Sequence, residues 1–383
     1  MRKYKRYVLI STAIMILAII AVRNLHADKH TVLQSQTKDL SKHPIYSKYK
    51  LEVSDNIINV GVQPLYSPTG IIAELLKRDK ILQLSLAKLG MKLRFYSFLK
   101  GSDINYFMKN GSLNAGIGGD MPTIRLASTF DIVIPSIIQM GYTAIIAKQP
   151  VLIKELKGKR IGYAYGSNAH YGLMSALALE GVSERDVTFV PMDLLEMPKA
   201  LENSDVFAFS AWDPVTTIAT QKSDEAFAVH KMMTTGFLYF HKSLYQRQPK
   251  AIHYILAAES RAIKWLMQSK ENRIKAASWV IQSVNGLYTD KQSNLTVELL
   301  DELTLKQLLN ITALPNIPDN IVMEQGPLYN EFIFLKKIGL LPPDAIWGKV
   351  HDSFTNAALL EVHRNPELYR LSEFEYEFQE NNK

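Results

Sequence analysis

The chain contains no cysteine. That absence excludes disulfides, thiolate metal sites, a cysteine nucleophile and the lipid-attachment cysteine that many exported bacterial proteins use. Other signatures are missing as well. No G-K-[ST] occurs, and neither does G-x-S-x-G or H-E-x-x-H, so a Walker-type phosphate loop, a nucleophile elbow and a zincin helix are all excluded. The nine histidines are scattered, with His26 and His30 near the start, and neighbouring acids such as Asp301 and Glu302 suit a solvated helix face. These residues give no reason to expect a metal site, a cofactor or a catalytic constellation.

Acidic residues are absent from the first 27 positions, which hold Arg2, Lys3, Lys5, Arg6 and Arg23 and so five of the seven formal positive charges. The bias left in the remainder is too weak to suggest nucleic acid. Within MRKYKRYVLISTAIMILAIIAVRNLHA, a basic start leads into an apolar run from Tyr7 to Val22, and Leu25-His26-Ala27 offers a cleavage site. Residues 1–27 therefore read as a secretory signal peptide. The apolar run is short for a spanning helix, and an uncleaved anchor would equally place the rest outside the cytoplasmic membrane. Residues 28–55, polar and Lys-rich without a period, read as a leader tether.

At 383 residues, 47% hydrophobic and 21% charged, the composition is that of a globular protein of about two domains. From Ile57 onward, apolar runs of strand length alternate with helical patterns. IINVGVQ, KLRFYSF, LNAGIGG, FDIVIPSI and YTAIIAKQ read as strands, and the series then restarts with RIGYAYG, VTFVPMD, VFAFSAW and EAFAVHKM, followed by GFLYFHK as a return strand. This order predicts an α/β protein with a parallel sheet covered by helices on both faces. Lobe 1 would begin at 56–148, lobe 2 would occupy 149–233, and 234–350 would return to lobe 1 and continue into C-terminal helices. In PKAIHYILAAESRAIKWLMQ, Ile252, Ile255, Leu256, Ile263 and Leu266 fall at helical spacing and suit a core face. The tail, 351–383, has no assigned place, and no fixed-period repeat is visible.

In an open α/β sheet, ligands bind beyond the carboxyl ends of strands, where helix N-termini converge. Four junctions of that kind occur: Gly61-Val62-Gln63 with Tyr66-Ser67-Pro68-Thr69-Gly70; Gly116-Ile117-Gly118-Gly119-Asp120-Met121-Pro122; Gly166-Ser167-Asn168-Ala169-His170; and Ser210-Ala211-Trp212-Asp213-Pro214. Ser167 and the two aspartates are good helix caps, and a helix start is also an anion site; both readings stay open at each junction. His170 could face a cleft or cover a surface. The glycines of G-x-G-G-D lack the spacing of a dinucleotide loop and suit close approach of a ligand to the backbone.

LKGKRIGYAYGSNAHYGLMSALALEGV, together with WDP at 212–214, GGDMP at 118–122 and GVQ at 61–63, resembles the periplasmic substrate-binding proteins of ABC importers for aliphatic sulfonates. That family lies in a group that also binds taurine, nitrate and thiamine-pyrimidine precursors. The likeness spans about Ile57 to Pro343. It implies a type II periplasmic-binding-protein fold, with two α/β lobes closing on a ligand in the cleft between them. It also implies a monomer that takes a small organic anion, a sulfonate or taurine, and delivers it to an ABC permease in the cytoplasmic membrane. By the same likeness Gly166, Ser167, Asn168 and the helix start after Gly119 would hold the oxyanion. Gln63, His170, Trp212 and Asp213 would lie near the cleft, with Tyr66 and Trp212 over the apolar part of the ligand. Ser67, Thr69, Asp120 and Met121 complete the candidate set; Asp120 and Asp213 read as helix caps or, if they face the cleft, as partners for a cationic or hydroxyl part of the ligand. Met121 departs from the family pattern, as do the proline-rich turn after Gln63 and the tail.

Two other readings use the same fold. An enzyme related to thiamine-pyrimidine synthases would depend on a cysteine-rich metal motif that this chain cannot supply. A ligand-sensing subunit of a membrane receptor could use the acidic, aromatic tail as its contact.

Overall fold

Eight strands make one mixed sheet in the order β2-β1-β3-β8-β4-β7-β5-β6. In chain order they are β1 (Ile57–Val62), β2 (Lys92–Ser97), β3 (Ala115–Gly119), β4 (Ile132–Ala147), β5 (Arg160–Tyr163), β6 (Thr188–Pro191), β7 (Ala208–Trp212) and β8 (Phe227–His241). The computed structural model describes residues 39–66, 69–287 and 295–376. The signal pattern at 1–27 and Ser67 of the first junction lie outside the described residues. No helix among the described residues is long and apolar enough to cross a membrane.

The chain divides into two compact units, Met1–Tyr49 and Lys50–Lys383. In the first, the described residues form two single 3-10 turns, Leu40–Lys42 and Tyr46–Lys48, the former capped by the Asp39 carboxylate accepting from the Ser41 N–H. The second unit carries the whole sheet.

Within it, β1, β2 and β3 are parallel, and so are β5, β6 and β7. Every residue of IINVGV in β1 is buried, as expected for a strand covered on both faces. Between the two parallel sets run β4 and β8, antiparallel to each other over almost their full length and to the strands beside them. These are the two crossings between lobes. The sheet is therefore mixed, where the sequence pattern predicted a parallel one. FDIVIPSI and YTAIIAKQ are also two ends of a single strand, β4, and EAFAVHKM and GFLYFHK are likewise one, β8. Pro135 and Gly141 made the run look interrupted. Pro135 falls inside a register shift between Val133 and Ser136, and a second shift lies between Ile137 and Gln139. Bulges absorb a residue that cannot donate to the ladder and bend the strand where it passes between lobes.

The largest core joins β1 and β3 to the Thr69–Arg78, Pro249–Gln268 and Lys270–Leu287 helices, and it includes Ile252, Ile255, Leu256, Ile263 and Leu266 as their spacing predicted. Burial of each such side chain contributes roughly 1.5–3 kcal/mol. The second lobe has a core on each face, one around Ile161 and Leu173 and the other around Phe209 and Val215.

The tail after His351 is built into the first of these cores. Leu359, Val362, Tyr369 and Leu371 belong to it. Arg261, 2% exposed, donates through Nε to Asp79 at 2.9 Å and through Nη1 to the Tyr369 carbonyl at 2.8 Å. Asp79 in turn accepts from the Leu82 N–H at 2.8 Å, capping the Lys80–Lys88 helix. One buried ion pair thus ties a helix start, a core helix and the tail together.

Candidate functional site

The four junctions lie at the ends of β1, β3, β5 and β7. β3 runs into the Asp120–Thr129 helix, with Gly119 as N-cap. A Cβ on Gly119 would stand 3.4 Å from the Tyr66 hydroxyl, an ordinary contact, which places Tyr66 against the junction. β5 leads to the Asn168–Leu179 helix, whose N-cap is Ser167.

The centre of the site is the Asp120 carboxylate, 1% exposed. Its Oδ1 accepts from the Met121 N–H at 2.8 Å and from the Asn168 amide at 3.2 Å. Oδ2 accepts from the Thr235 N–H at 2.8 Å and the Thr234 hydroxyl at 2.9 Å, with the Thr235 hydroxyl at 3.4 Å. Asn168 belongs to lobe 2, Asp120 to lobe 1, and Thr234 and Thr235 to the crossing strand β8. The donors are neutral, and no lysine or arginine is among them. Asn168 also reaches the Tyr66 hydroxyl at 3.5 Å and contacts the Thr234 hydroxyl. Burial raises the Asp120 carboxyl pKa, and the donors around it oppose that shift. Tyr66 is held far above its ordinary value by burial first and then by the Asp120 charge.

Glu331 comes from the Pro327–Lys337 helix, which packs against the helices of the second and third junctions, Asp120–Thr129 and Asn168–Leu179. It is 2% exposed, and its Oε2 has no hydrogen-bond partner among the described residues. Its pKa stands well above the usual carboxylate range, through burial, then the negative charge of Asp120, then a hydrogen bond to Asp120.

The same helix covers the third junction. Phe334 lies edge-on to the His170 ring at 5.2 Å, and the Tyr165 hydroxyl donates to the Ile338 carbonyl at 3.3 Å. Leu340 Cδ1 stands 2.6 Å from where a Cβ on Gly166 would be, and Gly166 has φ +70°. The Ser167 hydroxyl donates to the Ala164 carbonyl at 2.7 Å and accepts from the His170 N–H at 3.2 Å. The Gly166 N–H donates to His170 Nδ1 at 3.2 Å. Burial lowers the His170 pKa to about 4, so the ring is neutral, with its proton on Nε2.

The structure therefore brings Tyr66, Gly119, Asp120 and Asn168 together, with Trp212 edge-on to Tyr66 at 5.8 Å. Gln63, half-buried, points along the same edge, its Oε1 4.0 Å from a Cβ position on Gly118. Other candidates serve their own turns. Thr69 donates to the Tyr66 carbonyl at 2.9 Å and to Gln139 Oε1 at 3.0 Å. Asp213 accepts from the hydroxyls of Thr216 and Thr217 in the helix that follows it. Met121 is buried at 1% exposure and contributes its backbone N–H. Gly166, Ser167 and His170 bond one another and pack beneath Phe334. Sequence reasoning missed Thr234, Thr235 and Glu331. Glu331 carried a signal: it shares a helix face with Leu328 and Leu335, an acid in an apolar stripe.

A mixed sheet with two crossing strands and opposed strand-to-helix junctions is the two-lobed periplasmic-binding-protein fold. The comparisons agree. The family model described as NMT1/THI5 like matches residues 132–272. A Bacillus subtilis (strain 168) protein named for aliphatic sulfonate binding is 27% identical over 280 residues, 70% of this chain and 78% of that protein. The periplasmic aliphatic sulphonate binding protein SsuA of Escherichia coli superposes with a TM-score of 0.60 at 17% identity, covering 78% of this chain and 92% of its own. The periplasmic nitrate-binding protein NrtA of Synechocystis PCC 6803 does so with a TM-score of 0.54 at 12% identity, covering 82% and 89%. The resemblance drawn from the sequence motifs is borne out by these matches. All three named relatives are binding proteins rather than enzymes.

Proposed function

We propose that this protein is the substrate-binding subunit of an ABC importer, exported to the periplasm, that captures a small organic anion and delivers it to a membrane permease. An alkanesulfonate or taurine is the ligand favoured by the names of the relatives. A sulfonate stays ionised at physiological pH and is held by N–H and O–H donors without a titrating partner. The observation that carries the reading is the contact of Asn168 on lobe 2 with Asp120 and Tyr66 on lobe 1, flanked by donors from β8. Groups from both lobes that converge on one point give a ligand more contacts in the closed state than in the open one, so binding drives closure.

Titration of the purified protein with alkanesulfonates, taurine and nitrate tests this. Saturable binding of a sulfonate, with a fall in radius of gyration as the lobes close, is the expected result. Failure of every anion in the set to bind would remove the sulfonate reading.

A further inference from the structure

We propose that residues 318–355 form a latch across the cleft, anchored on lobe 1 and resting on lobe 2, which must release lobe 2 before the lobes can part and admit a ligand. The inference rests on the reading of the cleft as a ligand site and adds a device that governs entry to it.

The segment leaves and rejoins the body at one point. The Ile317 N–H donates to Asn356 Oδ1 at 2.8 Å, and the Asn356 amide donates back to the Ile317 carbonyl at 3.0 Å. Beside this stem the lobe 1 end of β4 is bonded to both of its arms. The Ile137 N–H donates to the Pro315 carbonyl at 3.0 Å, the Ile134 N–H to the Ser353 carbonyl at 2.7 Å, and the Thr355 N–H to the Ile134 carbonyl at 3.1 Å. Beyond the stem the chain folds on itself as the Asp319–Val322, Pro327–Lys337 and Trp347–His351 helices. Trp347, 7% exposed, stands edge-on to Tyr329 and Phe332. The two longer helices by sequence position, Pro327–Lys337 and Trp347–His351, pack on the Asp120–Thr129 helix of lobe 1. A closed stem and an internal aromatic cluster are what a segment needs to move as a unit about its ends.

Its hold on lobe 2 is of a different kind. Phe334 lies 5.2 Å from the rings of both His170 and Tyr171. Gly339, at φ +72°, reverses the chain after the helix, with the Leu340 N–H donating to the Leu335 carbonyl at 2.9 Å, and so turns Leu340 onto Gly166. The remaining contacts are wet: the Tyr165 hydroxyl donates to the Ile338 carbonyl at 3.3 Å, and Lys337 meets Glu184 at 3.4 Å with both side chains exposed. Exposed ion pairs contribute little, so Phe334 and Leu340 carry most of the grip. Because the same segment is fixed to lobe 1, separating the lobes requires these two side chains to leave the third junction. Asp120 and Asn168, 1% and 5% exposed, are sealed from solvent in the latched arrangement, so an entering anion reaches them only after release.

Hydrogen exchange of the full chain, followed by mass spectrometry without added anion, tests the latch. Peptides covering 319–341 and 165–173 should exchange together and about tenfold or more faster than those covering 252–266 in the core helix. Phe334→Ala should speed exchange in the first two regions and leave the core helix unchanged. Protection of 319–341 equal to that of the core helix would overturn the proposal, and the wild-type comparison decides even if the variant does not fold. Stopped-flow mixing with ethanesulfonate, read by tryptophan fluorescence, adds a second readout. The observed rate should level off with concentration, at a higher plateau in Phe334→Ala, because release limits entry; a linear rise in the wild type would overturn the latch. Absence of ethanesulfonate binding would count against the function proposed above, and the exchange result would still decide the latch.

Discussion

Asp120 and Asn168 stand on opposite lobes, and the Asn168 amide nitrogen lies 3.2 Å from Asp120 Oδ1. A hydrogen bond to a charged group contributes about 1.5–3 kcal/mol, and this one joins the helix that follows β3 to the helix that follows β5. Asn168→Ala should therefore shift the protein toward an open form. Small-angle scattering should show a larger radius of gyration for the variant, and ligand affinity should fall roughly tenfold or more, since about 1.4 kcal/mol is a factor of ten. Unchanged scattering and affinity would mean that the contact does not stabilise closure.

Asp213 should behave differently from Asp120, although both precede a proline by one or two residues. Its carboxylate accepts from Thr216 and Thr217, within its own helix turn. Asp213→Ala is expected to cost about 1.5–3 kcal/mol of stability, the usual worth of a hydrogen bond to a charged group, while ligand affinity stays within about twofold. Chemical denaturation and a binding titration on the same variant check the two halves of the prediction separately.

The buried run of β1 and the helical spacing of Ile252 to Leu266 fixed elements whose periodicity is local. The four junctions were visible because glycine, serine and aspartate at strand ends have specific backbone roles. Thr234 and Thr235 were not visible as site residues, since their importance comes from the antiparallel pairing of β4 with β8, a contact across nearly a hundred residues of sequence. The tail is a similar case: its acidic, aromatic composition suggests an exposed arm, yet Tyr369 and Leu371 are core residues and Arg261 binds the backbone between them. Glu331 was a visible anomaly whose meaning depended on the distant Asp120.

Gly166 and Gly158 allow a paired test. Both have positive φ, +70° and +74°, but a Cβ on Gly158 would meet nothing within 4 Å while one on Gly166 would strike Leu340 Cδ1 at 2.6 Å. Alanine at either position pays the left-handed backbone cost of about 1–2 kcal/mol. Gly166→Ala must also displace Leu340 and disturb the bond from its N–H to His170. Its melting temperature should fall further than that of Gly158→Ala, by roughly 2–4 °C for each additional 1 kcal/mol. Equal losses would show that the segment after the Pro327–Lys337 helix yields freely.

Glu259 predicts how stability depends on pH. It lies fully buried on the Pro249–Gln268 helix, where the Ser136 hydroxyl donates to its Oε2 at 2.8 Å and Oε1 has no partner among the described residues. Burial raises its pKa from 4.5 to about 8, against a smaller opposing effect of the Ser136 hydrogen bond. The folded protein then holds a proton that the unfolded chain releases near pH 4.5, so between about 4.5 and about 8 folding is linked to proton uptake. The stabilisation is complete below the lower value and is lost as pH rises through the upper one. At 1.36 kcal/mol per pKa unit the full effect is on the order of 5 kcal/mol. His170, with its pKa lowered to about 4, acts in the opposite sense as pH falls, so the total profile mixes several groups. The difference between wild type and Glu259→Gln isolates one of them, because glutamine keeps an acceptor for Ser136 and does not titrate. Urea unfolding at pH 5, 6, 7 and 8 should show wild type losing stability relative to the variant as pH increases. Parallel curves would mean that Glu259 is ionised in the fold and that a cation or water not drawn from these side chains holds its charge.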